Sequence, residues 1–308
     1  MKKSNLVLFF LFLLLIQRLY AAETIKLDEF SYSEDQIALA KEVIKILEED
    51  HFLKKSFDSI HTEALDLYLE RLDPNKDIFL SGELTKFKDD IANIKDINKN
   101  LEVAYEAFKV YGKRYQSRYD LQIDFLKNIS ENDLKSKRKI LRDRSEAERL
   151  DSVEELEDSW KDLIINDVIQ LMLSGNSVKE SAEKTLKRLE NQLSYFNQTR
   201  NEDIFNIYIN SISSIYGPHT SYMSPKNSED FDINMSLSLE GIGALLSPDG
   251  PYTSISSLIP GGPAEKSGLL KPKDKIIGVG QDDDGEIVDV VGWRLDDVVE
   301  LIRGPKDS

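Results

Sequence analysis

Cysteine is absent from this chain of 308 residues, and histidine occurs only three times. The first absence excludes disulfides, thiol nucleophiles and cysteine-based zinc sites. The second leaves little to hold a metal, because His51 and His61 are ten positions apart, whereas paired ligands on one helical face are about four apart. The sequence therefore predicts no metal and no other cofactor.

Basic residues are outnumbered by acidic ones. The chain has 40 Lys and Arg against 56 Asp and Glu, a formal charge of −16. Nucleic acids and anionic membrane surfaces are polyanions, so this balance argues against non-specific binding to either. With 40% hydrophobic and 31% charged residues the composition is typical of a globular protein. At about 150 residues per domain, the length predicts two domains.

A long apolar run lies at the extreme N-terminus. Lys2 and Lys3 precede the apolar residues 6–16, and the small residues Ala21 and Ala22 follow. This is the layout of a secretory signal peptide, and the run is too short to cross a bilayer of about 30 Å. We expect residues 1–22 to direct export to a periplasm, without stable membrane insertion after cleavage. Association with the periplasmic face of a membrane is left open.

Residues 23–216 are poor in Gly and Pro and show helical periodicity. Ser33 is a candidate N-cap of the first helix, and Thr199 with Glu202 forms a capping-box pattern before the last. Apolar side chains recur at spacings of three and four, which predicts helices that bury one face. The stripes are Ile37–Leu47, Ile60–Tyr68, Leu101–Tyr115, Leu156–Leu171, Leu186–Phe196 and Ile204–Ile215.

A basic block interrupts this helical part of the sequence. Residues 135–149 hold seven Lys or Arg, and the acidic segment 154–158 follows at once. We expect a solvated helical face with local ion pairs. A partner-binding strip is the alternative.

The segment 217–236 is predicted to be a junction, because it opens with a turn-rich, extended stretch. His219 lies close to Ser221 and Ser224, but no glycine-flanked nucleophile turn is present. We therefore expect His219 to be a buried, hydrogen-bonded residue of the junction rather than a catalytic one.

Beyond the junction the periodicity changes to that of strands. Strands are predicted at 237–246, 253–259, 275–280 and 286–291, followed by a helix at 295–303. Gly241 and Gly243 stand just before a strand. Such a turn can direct successive backbone N–H groups at an anion, and its small residues let a ligand backbone come close.

Two segments carry a resemblance to PDZ domains. The run from Ile259 to Val279 resembles their Pro-Gly-Gly-Pro-Ala stretch with its later Ser-Gly-Leu and Asp, and 292–304 resembles their groove helix. A PDZ domain binds a chain's C-terminus as an added strand, with the carboxylate on loop amides and the last side chain in an apolar pocket. The resemblance implies a small β-sandwich or barrel with a groove helix. It implies these peptide-binding residues: Gly241, Ile242, Gly243, Ala244, Leu295, Val299 and Ile302.

The order of the parts, with the segments 235–244 and 291–299, resembles the periplasmic, Prc-like branch of the tail-specific (carboxy-terminal processing) proteases. The resemblance implies a multidomain α + β protein: signal peptide, all-α domain, junction and an incomplete PDZ domain at 237–308. It also implies a serine endopeptidase with a Ser/Lys dyad, which degrades or trims proteins with apolar C-terminal tails. Peptidoglycan enzymes are implied as substrates, and a helical-repeat lipoprotein adaptor as a partner of the helical domain.

The family's serine and lysine lie beyond its PDZ domain, so we expect no catalytic residue among these 308. The last PDZ strand would also follow Ser308, and the chain is therefore expected to be the N-terminal part of a protease. The alternative is a stand-alone PDZ adaptor that binds C-termini without cutting them. The gene downstream of the Ser308 codon distinguishes the two, since an in-frame stop there favours the adaptor.

Overall fold

The computed structural model describes residues 25–135, 139–235, 241–281 and 285–303. They form two compact units, the first ending at Tyr222 and the second beginning at Met223. The expected signal peptide and the predicted start of the first strand lie outside the described residues. Within those residues, no helix is both long and apolar enough to span a bilayer.

The first unit is all-α, as predicted. A short 3-10 turn at Leu27–Glu29 precedes its α-helices. They are α1 (Glu34–Glu49), α2 (Phe57–Leu72), α3 (Ser81–Ile91), α4 (Ile97–Lys127), α5 (Val153–Leu173), α6 (Val178–Phe196) and α7 (Asn201–Tyr216). The helix α3 has no counterpart among the predicted stripes.

The start of α1 confirms the predicted N-cap. The Ser33 hydroxyl oxygen accepts a hydrogen bond from the Gln36 N–H at 3.2 Å, and the Gln36 side chain accepts one from the Ser33 N–H at 3.0 Å. Two N–H groups that the helix itself cannot pair are satisfied in this way. The buried face of α1 is the predicted stripe: Ile37, Ala40, Ile44 and Leu47.

The capping box predicted for α7 is wrong by one residue. The Asp203 carboxylate accepts the hydrogen bond from the Arg200 N–H at 2.8 Å, so the cap is Arg200. The Thr199 hydroxyl donates instead to the Phe196 carbonyl at the end of α6. The cause is the short connection between α6 and α7, where Thr199 still belongs to the end of the preceding helix.

The 31-residue helix α4 is shared by two hydrophobic cores. At about 1.5 Å per residue it is roughly 46 Å long. Its N-terminal half packs in one core with α1, α2 and α7, and its C-terminal half in a second core with α5 and α6. Gly112 lies between the two halves, where a Cβ would stand 2.5 Å from the Leu27 side chain and 3.2 Å from Phe196. The 3-10 turn can approach α4 there because no side chain intervenes.

The loop between α2 and α3 is organised by one buried carboxylate. Asp73 is almost fully buried, and its oxygens accept hydrogen bonds from the backbone N–H groups of Asp77, Ile78 and Phe79 at 2.9, 3.2 and 2.9 Å. Its charge is neutralised by Arg149, whose guanidinium also lies over the Phe79 ring. A buried charge needs this combination of ion pairing and hydrogen bonding to offset its lost hydration.

The same loop connects to the helices that carry the second core. The Asp77 carboxylate pairs with Arg118 of α4 at 2.9 Å, and the Asp77 carbonyl accepts the indole N–H of Trp160 of α5 at 2.7 Å. Arg114 of α4 donates to the Ile78 carbonyl at 3.0 Å. Burial raises the pKa of Asp77, although Arg118 acts to lower it. We call residues 73–80, with these partners, the hub loop.

The hub loop overturns the expectation for the basic block. Residues 139–149 of the basic block are described by the structure, and they are not helical. Arg149 is not solvated, because its side chain is only 9% exposed and pairs with Asp73. The reason is the buried carboxylate of Asp73, which selects a guanidinium 76 positions away. The expectation for His219 is also wrong, because its side chain is exposed. The buried histidine is His61, whose ring nitrogens lie 3.1 and 3.2 Å from the carbonyls of Asp58 and Ile91.

The second unit combines short strands and helices, and it confirms the α + β class. Its elements are α8 (Pro225–Met235), β1 (Ala244–Asp249), β2 (Tyr252–Leu258), α9 (Pro263–Ser267), β3 (Lys275–Ile276), β4 (Gly278–Val279), β5 (Val288–Asp289) and α10 (Leu295–Arg303). The strands form two antiparallel sheets, in the orders β1-β2-β3 and β4-β5. The helix α10 begins and ends as predicted. The first strand begins at Ala244, later than predicted, because 241–243 form a bend, and α8 was not foreseen.

Replacing the buried carboxylate of the hub loop tests its contribution. Asp73→Asn keeps only one of the two acceptor oxygens that bind the loop N–H groups, and it leaves the Arg149 guanidinium without its counter-charge. We expect a loss of about 3–5 kcal/mol in the free energy of unfolding, measured by urea denaturation. The matched control is Asp124→Asn, since Asp124 is an exposed partner of Lys127 and its loss should change little. Equal effects of the two substitutions would contradict this role of Asp73.

Buried tyrosines predict alkaline destabilisation. Burial raises the pKa of four of them, Tyr68, Tyr105, Tyr119 and Tyr208, well above their ordinary value, and it does the same for the partly buried Tyr111. Because the folded-state pKa exceeds the unfolded one, stability is complete below about pH 10 and is lost as the pH rises above it. The loss approaches about 1.4 kcal/mol per pH unit for each tyrosine. Urea denaturation with tyrosinate absorbance should show this fall, and Tyr208→Phe should make it shallower; a flat profile above pH 10 would contradict it.

Candidate peptide-binding site

The hairpin β1–β2 supplies a free strand edge. Gly250 and Pro251 connect the strands, and Gly250 has a φ of +60°, which suits the first central position of a type II′ turn. In the described part of the sheet β1 has a neighbour only on the β2 side, so its other edge is unpaired. The backbone groups on that edge can bind an added strand.

The loop that leads into β1 turns its carbonyls into the fold. The Ile242 carbonyl accepts a hydrogen bond from the Ala264 N–H of α9 at 2.8 Å, and the Gly243 carbonyl accepts one from the Ile259 N–H at 2.9 Å. In the described residues, the N–H groups of Ile242 and Gly243 donate to no backbone carbonyl. With its carbonyls engaged, the loop is free to present N–H groups to an anion.

Glycine is required where this loop meets the segment before α9. Gly243 has a φ of +74°, and a Cβ on it would lie 3.1 Å from the Gly262 Cα and 3.2 Å from the Pro263 side chain. A Cβ on Gly262 would in turn lie 3.0 Å from the Ile259 carbonyl oxygen. The Gly-Ile-Gly loop and the Pro-Gly-Gly-Pro segment, some twenty residues apart in the chain, therefore pack backbone against backbone.

The helix α10 packs beside β1 in the same unit. Val298 is its fully buried residue, while Leu295, Val299 and Ile302 are partly exposed. The helix thus keeps apolar side chains accessible in addition to the one that it buries. The structure brings the loop, the strand edge and this helix together, and each of the seven residues predicted for the site lies on one of the three.

A lysine that the sequence analysis did not single out holds α10 from the side of α8. The ammonium of Lys226 lies 2.8 Å from Glu300, 3.4 Å from Asp297 and 3.6 Å from Asp296. Burial acts to lower the pKa of Lys226, but the hydrogen bond to Glu300 and the neighbouring carboxylates outweigh it and raise the pKa. The sequence signal was an excess of acidic residues on α10. The helix has acidic residues at 296, 297 and 300 and only one basic residue, Arg303.

Comparison with known proteins places both units. A family model described as the tail-specific protease N-terminal domain matches residues 43–226, and one described as the PDZ domain matches residues 230–308. The tail-specific protease of Haemophilus influenzae is 36% identical over 280 residues, which cover 90% of this chain and 40% of that protein. The carboxy-terminal processing protease CtpA of Bacillus subtilis is 32% identical over 44% of this chain and 27% of its own length.

Among solved structures, the PDZ domain of the carboxy-terminal protease from Vibrio cholerae, in complex with a peptide, is 62% identical over 23% of this chain and 72% of that one, with a TM-score of 0.22. The chain spans less than half the length of the curated relatives named above. The N-terminal model alone covers more than half of the chain. The chain therefore belongs to the tail-specific protease family: it carries that family's N-terminal domain, followed by a PDZ domain.

Proposed function

We propose that this chain is the substrate-recognition part of a C-terminal processing serine protease, and that it captures apolar C-terminal tails of proteins. The observation that carries the proposal is the loop 241–243. Its Ile242 and Gly243 carbonyls are hydrogen-bonded within the fold, and it leads directly into β1, whose outer edge is unpaired in the described part of the sheet. A tail can then add to β1 as a strand while its terminal carboxylate meets the loop N–H groups.

The carboxylate is bound by the segment Gly241–Ala244. Positive φ values at Gly241 and Gly243 let successive N–H groups converge, a conformation that other residues adopt only with strain. The partly exposed side chains of α10 supply the apolar wall for the last side chain of the tail: Leu295, Val299 and Ile302. Burying that side chain provides affinity, and the carboxylate provides selectivity for a chain end.

The chemistry of cleavage belongs to a Ser/Lys dyad outside these 308 residues, and no serine or lysine of this chain is assigned to it. In such a dyad a buried lysine, its pKa lowered by desolvation, serves as the base for the serine. The names of the relatives, which are proteases of C-terminal processing, support a proteolytic function over that of a non-catalytic adaptor.

Location and partners follow from the same proposal. The N-terminal pattern of lysines, apolar run and small residues supports export to a periplasm. Peptidoglycan enzymes are the proposed substrates, and the helical unit is the proposed docking site of a helical-repeat lipoprotein adaptor. The proposed organisation is a helical domain at 23–216, a junction at 217–236 and a PDZ domain from 237.

Amidating the tail tests the capture of the carboxylate. A peptide that ends in apolar residues should bind the 308-residue chain, and its C-terminal amide should bind about tenfold more weakly or worse, because the charge-assisted hydrogen bonds are lost. Isothermal calorimetry measures both affinities. If the amide binds as tightly as the acid, the loop does not capture a carboxylate.

A charge on the helix tests the apolar wall. Leu295→Glu places a carboxylate beside the expected position of the tail's last side chain, so we expect affinity for the same peptide to fall by more than about tenfold. The matched control is Leu269→Glu, because Leu269 is 82% exposed and follows α9 instead of lying on α10. Both variants are checked by circular dichroism. Unchanged affinity in a folded Leu295→Glu variant would show that α10 does not line the site.

A further inference from the structure

The turn of the β1–β2 hairpin determines which backbone groups of β1 face its free edge. Asp249 and Tyr252 flank the two-residue turn and are partners in the register. In such a turn the carbonyl of the first residue accepts the N–H of the fourth, so the Asp249 backbone faces β2. Along an antiparallel strand the backbone groups point alternately to the two sides. The backbone groups that face the free edge are therefore those of Pro248, Leu246 and Ala244.

A hydrogen bond at the other end of the strand supports this alternation independently. Counting back from Asp249, Gly243 should face β2, and its carbonyl does accept the Ile259 N–H at 2.9 Å. The irregularity in the ladder between Leu245 and Leu246 places the extra residue on β2, so the alternation along β1 is kept. The position of Pro248 agrees with this alternation, because an edge strand tolerates proline when the proline nitrogen faces away from the sheet.

The free edge therefore carries N–H donors at Ala244 and Leu246 and none at Pro248, because proline has no backbone N–H. A tail whose carboxylate lies on the loop would place its last residue opposite Ala244, its third-last opposite Leu246 and its fifth-last opposite Pro248. The Pro248 carbonyl faces the same edge, but the pyrrolidine ring occupies the place of the missing N–H and keeps the backbone of the fifth-last residue from approaching. We infer that Pro248 is a specificity-determining residue, which confines backbone recognition to about the last four residues of a tail.

This inference rests on the proposed function and names its substrate class: proteins with a short accessible apolar end, whatever sequence precedes it. A strand edge with a donor at position 248 would gain affinity from each further pair of residues in an extended tail. The edge of β1 gains little from them. A folded protein with only a few disordered residues at its C-terminus would then be bound nearly as well as one with a long tail.

The experiment compares peptides of two lengths on the 308-residue chain. One is a tetrapeptide with an apolar end and a free N-terminal amine, because an acetyl group would supply the carbonyl of the fifth-last residue. The other is the same tetrapeptide extended by four N-terminal alanines, which add backbone but little side chain. Extension should change the affinity of the unmodified chain by less than about twofold. In Pro248→Ala the new N–H should make the octapeptide bind about fivefold tighter, the worth of one net hydrogen bond, with the tetrapeptide unchanged.

The control is Ser247→Ala, whose backbone faces β2, and it should behave as the unmodified chain does. Hydrogen exchange gives a second readout, since the new amide at position 248 should be protected by the octapeptide and not by the tetrapeptide. If the unmodified chain gains fivefold or more from extension, or Pro248→Ala gains nothing, the inference is wrong while the proposed function stands. If neither peptide binds, or both bind regardless of amidation, the proposed function fails and the inference fails with it.

Discussion

The buried carboxylate of Asp73 is the interaction on which the helical unit depends. It accepts three backbone N–H groups and the guanidinium of Arg149, and thereby shapes a loop that has no regular structure of its own. The carbonyls of that loop then bind Trp160 and Arg114, which lie on different helices. The long helix α4 takes part in two separate cores. The hub loop connects the helices of these cores through its hydrogen bonds and ion pairs. Removing one ion would leave the other buried and unpaired. Loss of either partner should therefore lower the free energy of unfolding strongly.

In the second unit the corresponding constraint is a contact between glycines. Gly243 and Gly262 approach so closely that a Cβ on either would be crowded against backbone atoms only 3.0 to 3.1 Å away. This contact directs the carbonyls of the loop inward and leaves its N–H groups available at the start of β1. The geometry proposed for carboxylate binding is thus a consequence of how two backbone segments pack. The unpaired edge of β1 continues from the loop, and α10 packs beside β1. Lys226 adds a tether between α10 and α8 through three carboxylates.

Local sequence patterns predicted most of the helices of the first unit. The stripe of α1 and its cap were correct, because both depend on residues within one or two turns of each other. The helix α3 was missed, since its sequence is mostly polar and it buries only Phe87 and Ile91. The role of Arg149 was missed because its partner lies 76 positions away, and a block of like charges looks solvated when only its neighbours are considered. For the groove, the glycines and the apolar residues of α10 were recognised as a pattern, and their convergence was not derivable from spacing.

What the sequence by itself determined is the set of elements and the chemistry available to each: amphipathic helices in the first unit, a glycine-bearing loop before a strand, and an amphipathic helix after the strands. These follow from periodicity and from the conformations that glycine and proline allow, which are properties of short segments. The tertiary structure alone decided which charge pairs with Asp73, and which edge of β1 is free. It also decided that the nitrogen of Pro248 faces that edge. Those outcomes depend on packing and register between segments far apart in the chain, where a shift of one residue reverses the direction of every backbone group.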